Sequence, residues 1–134
     1  MNTHTLTLDT TSTKFLDITE EVREFAASHG GDGLLNVFVP HATAGLAVME
    51  TGSGSETDLE DAIEGLIPRS KEYVHSHGSP GHGADHLLPA FIAPSVTVPV
   101  VGGDLALGKW QSVVLVDLNR DNPRRKVHLS FLPG

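Results

Sequence analysis

The densest group of side chains able to do chemistry is a histidine cluster in the second half of the sequence. His75, His77, His82, Asp85 and His86 fall within twelve residues. Neutral imidazole ligates zinc and its neighbouring transition metals, and a carboxylate can complete such a site. The first two histidines would point the same way in an extended segment, and the last two would share one face of a helix. The cluster therefore predicts either a metal site or a histidine-rich surface loop.

A second candidate site begins with His41, in the segment Pro-His-Ala-Thr-Ala-Gly at 40–45. This segment directly follows an apolar run at 34–39. A histidine just past a buried strand is rigidly held and can reach a cleft, and its small neighbours leave room for a ligand. Glu50 ends the next apolar run, 46–49, and would face the same pocket as His41 if the two runs paired. The alternatives are a surface turn for His41 and a solvated carboxylate for Glu50.

Two segments near the carboxyl terminus are candidates for substrate binding. Trp110, the sole tryptophan, could wall a pocket and stack on an aromatic ring, and the amide of Gln111 could orient a ligand. Residues 120–126 hold four of the nine positive charges, so Arg124 and Arg125 could bind a phosphate or diphosphate. Core packing for the tryptophan and a solvated turn for the arginines are the alternatives.

The composition excludes several classes of function. Nine Lys and Arg against 17 Asp and Glu give a net charge of −8, which argues against a broad nucleic-acid or anionic-lipid surface. The 134 residues include no cysteine, so disulfides, thiolate zinc sites and cysteine nucleophiles are absent. No apolar run reaches the roughly 18 residues that span a bilayer, and the first residues lack a signal-peptide core. We therefore expect a soluble cytoplasmic protein.

Hydrophobic periodicity predicts the elements that must position these residues. Thr19 is the expected N-cap of a helix that ends near Ser28, and Leu59, Ile63 and Leu66 mark a second helix. The segment 76–83 is expected to be a loop. The predicted strands are 2–8, 14–17, 34–39, 46–49, 96–100, 105–107, 112–118 and 127–131. This order predicts one α+β domain over 1–134, with a mixed or mostly antiparallel sheet and two main helices.

Taken together, the motifs resemble the YjbQ family, formerly an uncharacterised protein family and also known as secondary thiamine-phosphate synthase. The resemblance covers essentially the whole chain in order. It is carried by His-Ala-Thr-Ala-Gly at 41–45, Glu50, Tyr-Val-His at 73–75, His-Leu at 86–87, Pro-Ser-Val-Thr-Val-Pro at 94–99, Leu-Gly-Lys-Trp-Gln at 107–111 and the basic turn at 124–126.

The resemblance implies a compact α+β fold, a homotrimer and a metal pocket of three histidines, which map to His41, His75 and His86. His77 and His82 are then additional. This chain has His82-Gly83 where the family usually has Asn-Ala. Whether His82 replaces that asparagine or joins the metal is therefore open.

The activity implied by the resemblance joins hydroxymethylpyrimidine diphosphate to thiazole phosphate, with loss of diphosphate. A metal ion or Arg124 and Arg125 would stabilise the departing charge, Trp110 would stack on the pyrimidine, and Glu50 would be the catalytic residue that binds its amine or orders a water. Three imidazoles favour zinc, whereas diphosphate chemistry more often uses Mg²⁺. Two alternatives are a hydrolase that uses water on a three-histidine metal, and a non-catalytic trimer that binds metal or a small phosphorylated ligand.

Overall fold

The computed structural model describes residues 2–134, which form eight strands and three helices. Along the chain these are β1 (Asn2–Asp9), β2 (Phe15–Asp17), α1 (Thr19–His29), β3 (Gly33–Phe38), β4 (Gly45–Met49), α2 (Ser55–Leu66), α3 (His82–Phe91), β5 (Ser95–Val101), β6 (Asp104–Leu105), β7 (Ser112–Val116) and β8 (Arg124–Pro133). Among these residues, no helix has the length and apolar character needed to cross a membrane.

The strands form two antiparallel sheets, which confirms the predicted α+β class. The larger sheet has the order β1-β8-β3-β5-β6, and the smaller has the order β2-β7-β4. Because β3 pairs with β5 and β8 while β4 pairs with β7, the two apolar runs around His41 lie in different sheets. Pairing of these two runs, the condition under which His41 and Glu50 would face one pocket, is therefore not met.

Strand β7 lies between two hydrophobic cores. Val113 and Leu115 pack in a core with residues of α1 and the larger sheet, and Val114 and Val116 pack in a second core with residues of α2 and α3. All four side chains are fully buried. Burial on both faces explains why this strand is a continuous apolar run and does not alternate with polar residues.

Helices α1 and α2 differ from their predicted starts. Ile18, not Thr19, is the N-cap of α1, because the Thr19 hydroxyl donates to Asp17 and accepts from the backbone N–H of Val113. Helix α2 begins at Ser55, about one turn before Leu59, the first of the three residues that predicted it. Its Ile63 is buried as predicted, but Leu66 faces solvent.

Helix α3 has no counterpart among the predicted elements, since the segment around its start was expected to be a loop. Its buried residues include Ala84 and Leu88, one turn apart, and Leu88 packs in the second core. Gly and Pro residues before His82, and Pro89 inside the helix, obscure the helical pattern in the sequence. This helix carries two of the four clustered histidines.

Candidate metal centre

Helix α3 places His82 and His86 on the same face, one turn apart. Their Nε2 atoms lie 2.9 Å from each other. This is the geometry expected for residues i and i+4 of a helix, and it confirms that the two imidazoles share a face.

His75 approaches the helix from the irregular segment between α2 and α3. The Tyr73 hydroxyl donates to the Pro68 carbonyl at 2.8 Å, and Val74 is fully exposed. The ring centroid of His75 lies 4.4 Å from that of His86 and 5.0 Å from that of His82. The outward side chain at 74 fits an extended segment whose two flanking side chains point back toward the protein.

Gly83 permits this close approach. A Cβ atom at position 83 would lie 2.6 Å from the His75 carbonyl oxygen and 2.9 Å from the Tyr73 Cβ. Real Cβ atoms do not come this close to a backbone oxygen, so any larger residue would push the 73–75 segment off the first turn of α3. The glycine therefore sets the distance between His75 and the two helical histidines.

The three histidines together offer a donor set for one cation. One ring nitrogen from each of His75, His82 and His86 lies within 4.8 Å of the others. Zn–N bonds of 2.0–2.1 Å in a tetrahedral site separate two nitrogens by about 3.4 Å. The side chains are thus already gathered near the spacing that such an ion requires.

Two of these imidazoles favour the neutral form that binds a metal. Burial, followed by the neighbouring imidazoles, lowers the pKa of both His75 and His86 from the ordinary value of 6.5. Both rings are therefore neutral at pH 7, with a lone pair available on one nitrogen.

Asp85, the carboxylate within the sequence cluster, is turned away from the donor set. It is buried, and it accepts hydrogen bonds from Arg69 and from Nδ2 of Asn119, the latter at 2.9 Å. These bonds compensate for its burial. Asp85 therefore supports the start of α3 and is not one of the grouped donors in residues 2–134.

A cavity of about 620 Å³ opens beside the histidines. Its walls include His75, His77 and His82, and the cationic side chains of Arg69 and Lys71. The His77 ring centroid lies 4.1 Å from that of His75, as expected for residues i and i+2 of an extended segment, but His77 is outside the donor set. A small ligand in this cavity would contact the imidazoles directly.

His41 and Glu50 lie outside this arrangement in the single chain. The His41 Nε2 accepts a hydrogen bond from the Lys126 backbone N–H at 2.9 Å, and the ring is not among the grouped donors of the described chain. Burial and the nearby Arg125 charge lower the His41 pKa from 6.5. Glu50 follows β4 and does not line the cavity. The ligand role of His41 and the catalytic role of Glu50 stay predictions.

The 41–45 segment has a clear structural role. Buried Thr43 accepts a hydrogen bond from Nη2 of Arg125 at 2.9 Å. At Gly45 a Cβ atom would lie 2.0 Å from the Ile92 carbonyl oxygen, so β4 can pack against the chain after α3 only with glycine there. The small residues of this motif thus serve packing between elements.

Arg125 is buried, at 1% exposure, which excludes for this residue the alternative of a solvated turn. Its Nε donates to Oδ2 of Asp117 at 2.7 Å, and its Nη2 donates to Oδ1 at 2.9 Å. This two-bond ion pair occupies the Nε–Nη2 edge of the guanidinium, one of the edges through which an arginine binds a phosphate with two hydrogen bonds. Arg124 is exposed at the start of β8. Substrate binding by either arginine stays a prediction.

The segment around the sole tryptophan lies away from the cavity lining. Trp110 is 68% exposed, and the Lys109 Nζ lies 5.0 Å from the centre of its ring. The Gln111 Oε1 accepts from the Gly108 N–H at 2.7 Å and closes a turn. Neither Trp110 nor Gln111 lines the cavity, and their contact with substrate stays a prediction.

Sequence reasoning missed Asp121, which lies in the loop after β7. Its Oδ2 is 3.1 Å from Nδ1 of His82, the ring nitrogen opposite the one that faces His86. Alternating polar residues after a buried strand, at Asp117, Asn119 and Asp121, were the signal available. Nothing local in the sequence pairs Asp121 with His82, which lies 39 residues earlier.

The fold and site define an α+β protein with a histidine cluster beside a polar cavity. Residues 4–134 match the family model of UPF0047 protein YjbQ-like, and the chain belongs to that family. It is 62% identical to the UPF0047 protein Rv2556c of Mycobacterium tuberculosis, with full coverage of both chains. It is 35% identical over 123 residues to a UPF0047 protein of Archaeoglobus fulgidus, covering 91% of this chain and 95% of that protein.

Solved structures share the same fold. Hypothetical protein APE1520 from Aeropyrum pernix K1 is 34% identical and superposes with a TM-score of 0.88 over 100% of both chains. A YbjQ-like protein of unknown function from Sulfolobus solfataricus P2 has a TM-score of 0.91 at 24% identity, covering 99% of this chain and 97% of that one. The second similarity concerns the fold alone.

Proposed function

We propose that this chain is a metal-dependent enzyme that holds a zinc-like divalent cation between His75, His82 and His86 and acts on a small phosphorylated substrate. The observation that carries the proposal is the convergence of three ring nitrogens within 4.8 Å. The donor set fits zinc because it is made of imidazole, whereas Mg²⁺ prefers oxygen ligands. Mg²⁺ remains the alternative if it enters with a diphosphate substrate.

The chemistry of the centre follows from its incomplete ligand set. An ion held by three imidazoles keeps an open position and supplies Lewis-acid chemistry toward a phosphoryl oxygen. The chain's own contribution is to hold the imidazoles neutral and to fix their orientation. The His75 and His86 pKa values, lowered by burial and by neighbouring rings, support the first of these roles.

One exposed lysine in the cavity wall supports an anionic substrate. Arg69, Lys71 and Glu72 all line the cavity, and Asp85 already compensates the Arg69 charge. The Lys71 side chain is exposed, with its Nζ 5.4 Å from the centre of the Tyr73 ring. An ammonium group beside a bound cation attracts phosphate even though the whole chain carries −8.

Formation of thiamine phosphate is the reaction that the family resemblance implies. Both of its substrates are phosphorylated, and departure of diphosphate needs positive charge on the leaving oxygens. Hydrolysis of a phosphorylated compound is the second candidate. It is favoured by the open position of a three-imidazole site, which is the arrangement best suited to activating water.

We extend the proposal to a homotrimer, also implied by the resemblance. The outer face of the larger sheet supports self-association. Leu34 lies opposite Leu132 in the register, and these side chains are 47% and 54% exposed. Phe38, four residues along β3, is 41% exposed. Light scattering coupled to gel filtration tests this directly, and a monomer at micromolar concentration contradicts it.

Metal binding is tested first, by titrating zinc into the metal-free protein against a chromophoric chelator. We expect one ion per chain for the unaltered protein and at least a tenfold weaker affinity for His86→Ala. His4→Ala is the matched control, because His4 is exposed on β1 and outside the donor set. Equal affinities of the two variants would overturn the proposed centre.

The reaction is tested with the zinc-loaded protein and hydroxymethylpyrimidine diphosphate. Diphosphate release that requires added thiazole phosphate supports synthesis, and release without it supports hydrolysis. Each activity should be lost in His86→Ala and retained in His4→Ala. Zinc binding with neither release would contradict the enzymatic part of the proposal for these substrates.

A further inference from the structure

We propose that Asp121 is a positioning residue of the histidine centre, which holds the His82 ring in the tautomer and orientation that presents Nε2 to the cation. This inference rests on the proposed metal site. Asp121 would act through His82 and would not itself contact the cation.

The geometry identifies which ring nitrogen Asp121 controls. Its Oδ2 lies 3.1 Å from Nδ1 of His82, while the opposite nitrogen, Nε2, lies 2.9 Å from Nε2 of His86. A carboxylate only accepts hydrogen bonds, so Nδ1 of the ring must carry the proton. The lone pair of the neutral ring then lies on Nε2, on the side of the other donors.

Asp121 is itself held in place by its neighbours. The Nδ2 of Asn119 also lies 3.5 Å from its Oδ2. Its backbone N–H donates to Oδ1 of Asn119 at 3.0 Å. The carboxylate is therefore oriented before any cation binds, as is typical of the groups that orient metal-bound histidines.

Asn119 connects the same loop to the residue beside His86. Its Nδ2 donates to Oδ2 of Asp85 at 2.9 Å, and its own backbone N–H donates to Oδ1 of Asp117 at 3.1 Å. Asp117 in turn pairs with buried Arg125. The loop that carries Asp121 is thus fixed to the buried core at one end and to α3 at the other.

The test compares the zinc affinities of Asp121→Ala and Asp121→Asn with that of the unaltered protein. Loss of such a hydrogen-bond partner typically weakens metal affinity 10- to 100-fold. We expect that loss for Asp121→Ala and a smaller loss for Asp121→Asn, whose amide oxygen still accepts from Nδ1. Asp58→Ala on α2 is the control, because it removes one exposed negative charge outside the cavity lining.

A second readout separates positioning from folding. The visible absorption of bound Co²⁺ reports ligand geometry, so we expect an altered spectrum for Asp121→Ala and an unchanged one for Asp58→Ala. If Asp121→Ala binds zinc as the unaltered protein does while His86→Ala does not, the positioning role is overturned and the centre stands. If the unaltered protein binds no zinc, the proposed centre fails, and this inference fails with it.

Discussion

The Nε2 atoms of His82 and His86 face each other at 2.9 Å across one turn of α3. Two ring nitrogens at this distance cannot both carry a proton, because their hydrogens would collide. Either one donates to the other, or both direct lone pairs at a shared cation. Asp121 holds the proton of His82 on Nδ1, so the lone pair of His82 lies on Nε2. In the metal-free protein His86 is therefore the ring that donates the proton between the two Nε2 atoms, and it gives up that proton when a metal binds.

Substitution of individual histidines distinguishes the ligand set in the structure from the one implied by the resemblance. We expect His82→Gln to lower zinc affinity at least tenfold and His77→Gln to change it less than threefold, because only His82 belongs to the donor set. Chelator competition on the metal-free proteins measures both. A loss in His77→Gln equal to that in His82→Gln contradicts this assignment. A comparable loss in His41→Gln would show that His41 is also a ligand.

Substitution of Gly83 by alanine tests whether close packing sets the position of His75. The new Cβ would lie 2.6 Å from the His75 carbonyl oxygen, so the 73–75 segment must move. We expect at least a tenfold loss of zinc affinity, with α3 retained, as measured by chelator competition and circular dichroism.

Gly65→Ala is the matched control for this substitution. Gly65 lies in α2 with open space around it. We expect unchanged zinc affinity and a gain of about 0.5–1 kcal/mol in the free energy of unfolding, because alanine is the better helix former. Equal zinc affinities for Gly83→Ala and Gly65→Ala would show that His75 does not depend on this contact.

The pH dependence of zinc affinity follows from the lowered pKa values of His75 and His86. Protons compete with zinc only below the pKa of each ring, so a lowered pKa keeps the binding form available at pH 6.5, where an ordinary histidine is half protonated. We expect zinc affinity to change little between pH 7.5 and 7 and to fall steeply at lower pH. Calorimetric titration across this range measures the affinity. A zinc affinity already halved at pH 7, or one that stays constant down to pH 5, would contradict the expectation.

Removal of the Arg125 charge tests its structural role. Arg125 and Asp117 are each 1% exposed, so Arg125→Met leaves a buried carboxylate without its cation. Breaking such a pair costs about 3–5 kcal/mol in the free energy of unfolding. Urea denaturation of the metal-free protein measures this loss. Arg124→Met, at an exposed position, should stay within about 0.5 kcal/mol. Similar midpoints for both variants would show that the Arg125–Asp117 pair does not stabilise the fold.

Local patterns in the sequence predicted much of the fold. Alternating or continuous apolar runs located most of the strands, because the side-chain period of a strand depends only on neighbouring residues. The same reasoning missed α3, where Gly81, Gly83 and Pro89 mask the spacing of buried Ala84 and Leu88. Local signals for a turn outweighed the helical period there, and burial in the second core stabilises the helix nonetheless.

By itself the sequence determined that imidazoles are concentrated between residues 75 and 86, and that helical spacing would bring two of them together. Tertiary structure decided the rest of the centre. It brought His75 onto α3 over Gly83, turned Asp85 away toward Asn119, and placed Asp121 behind His82. These contacts join segments that are distant in the chain, and only the packing of sheets and helices fixes distances between such segments.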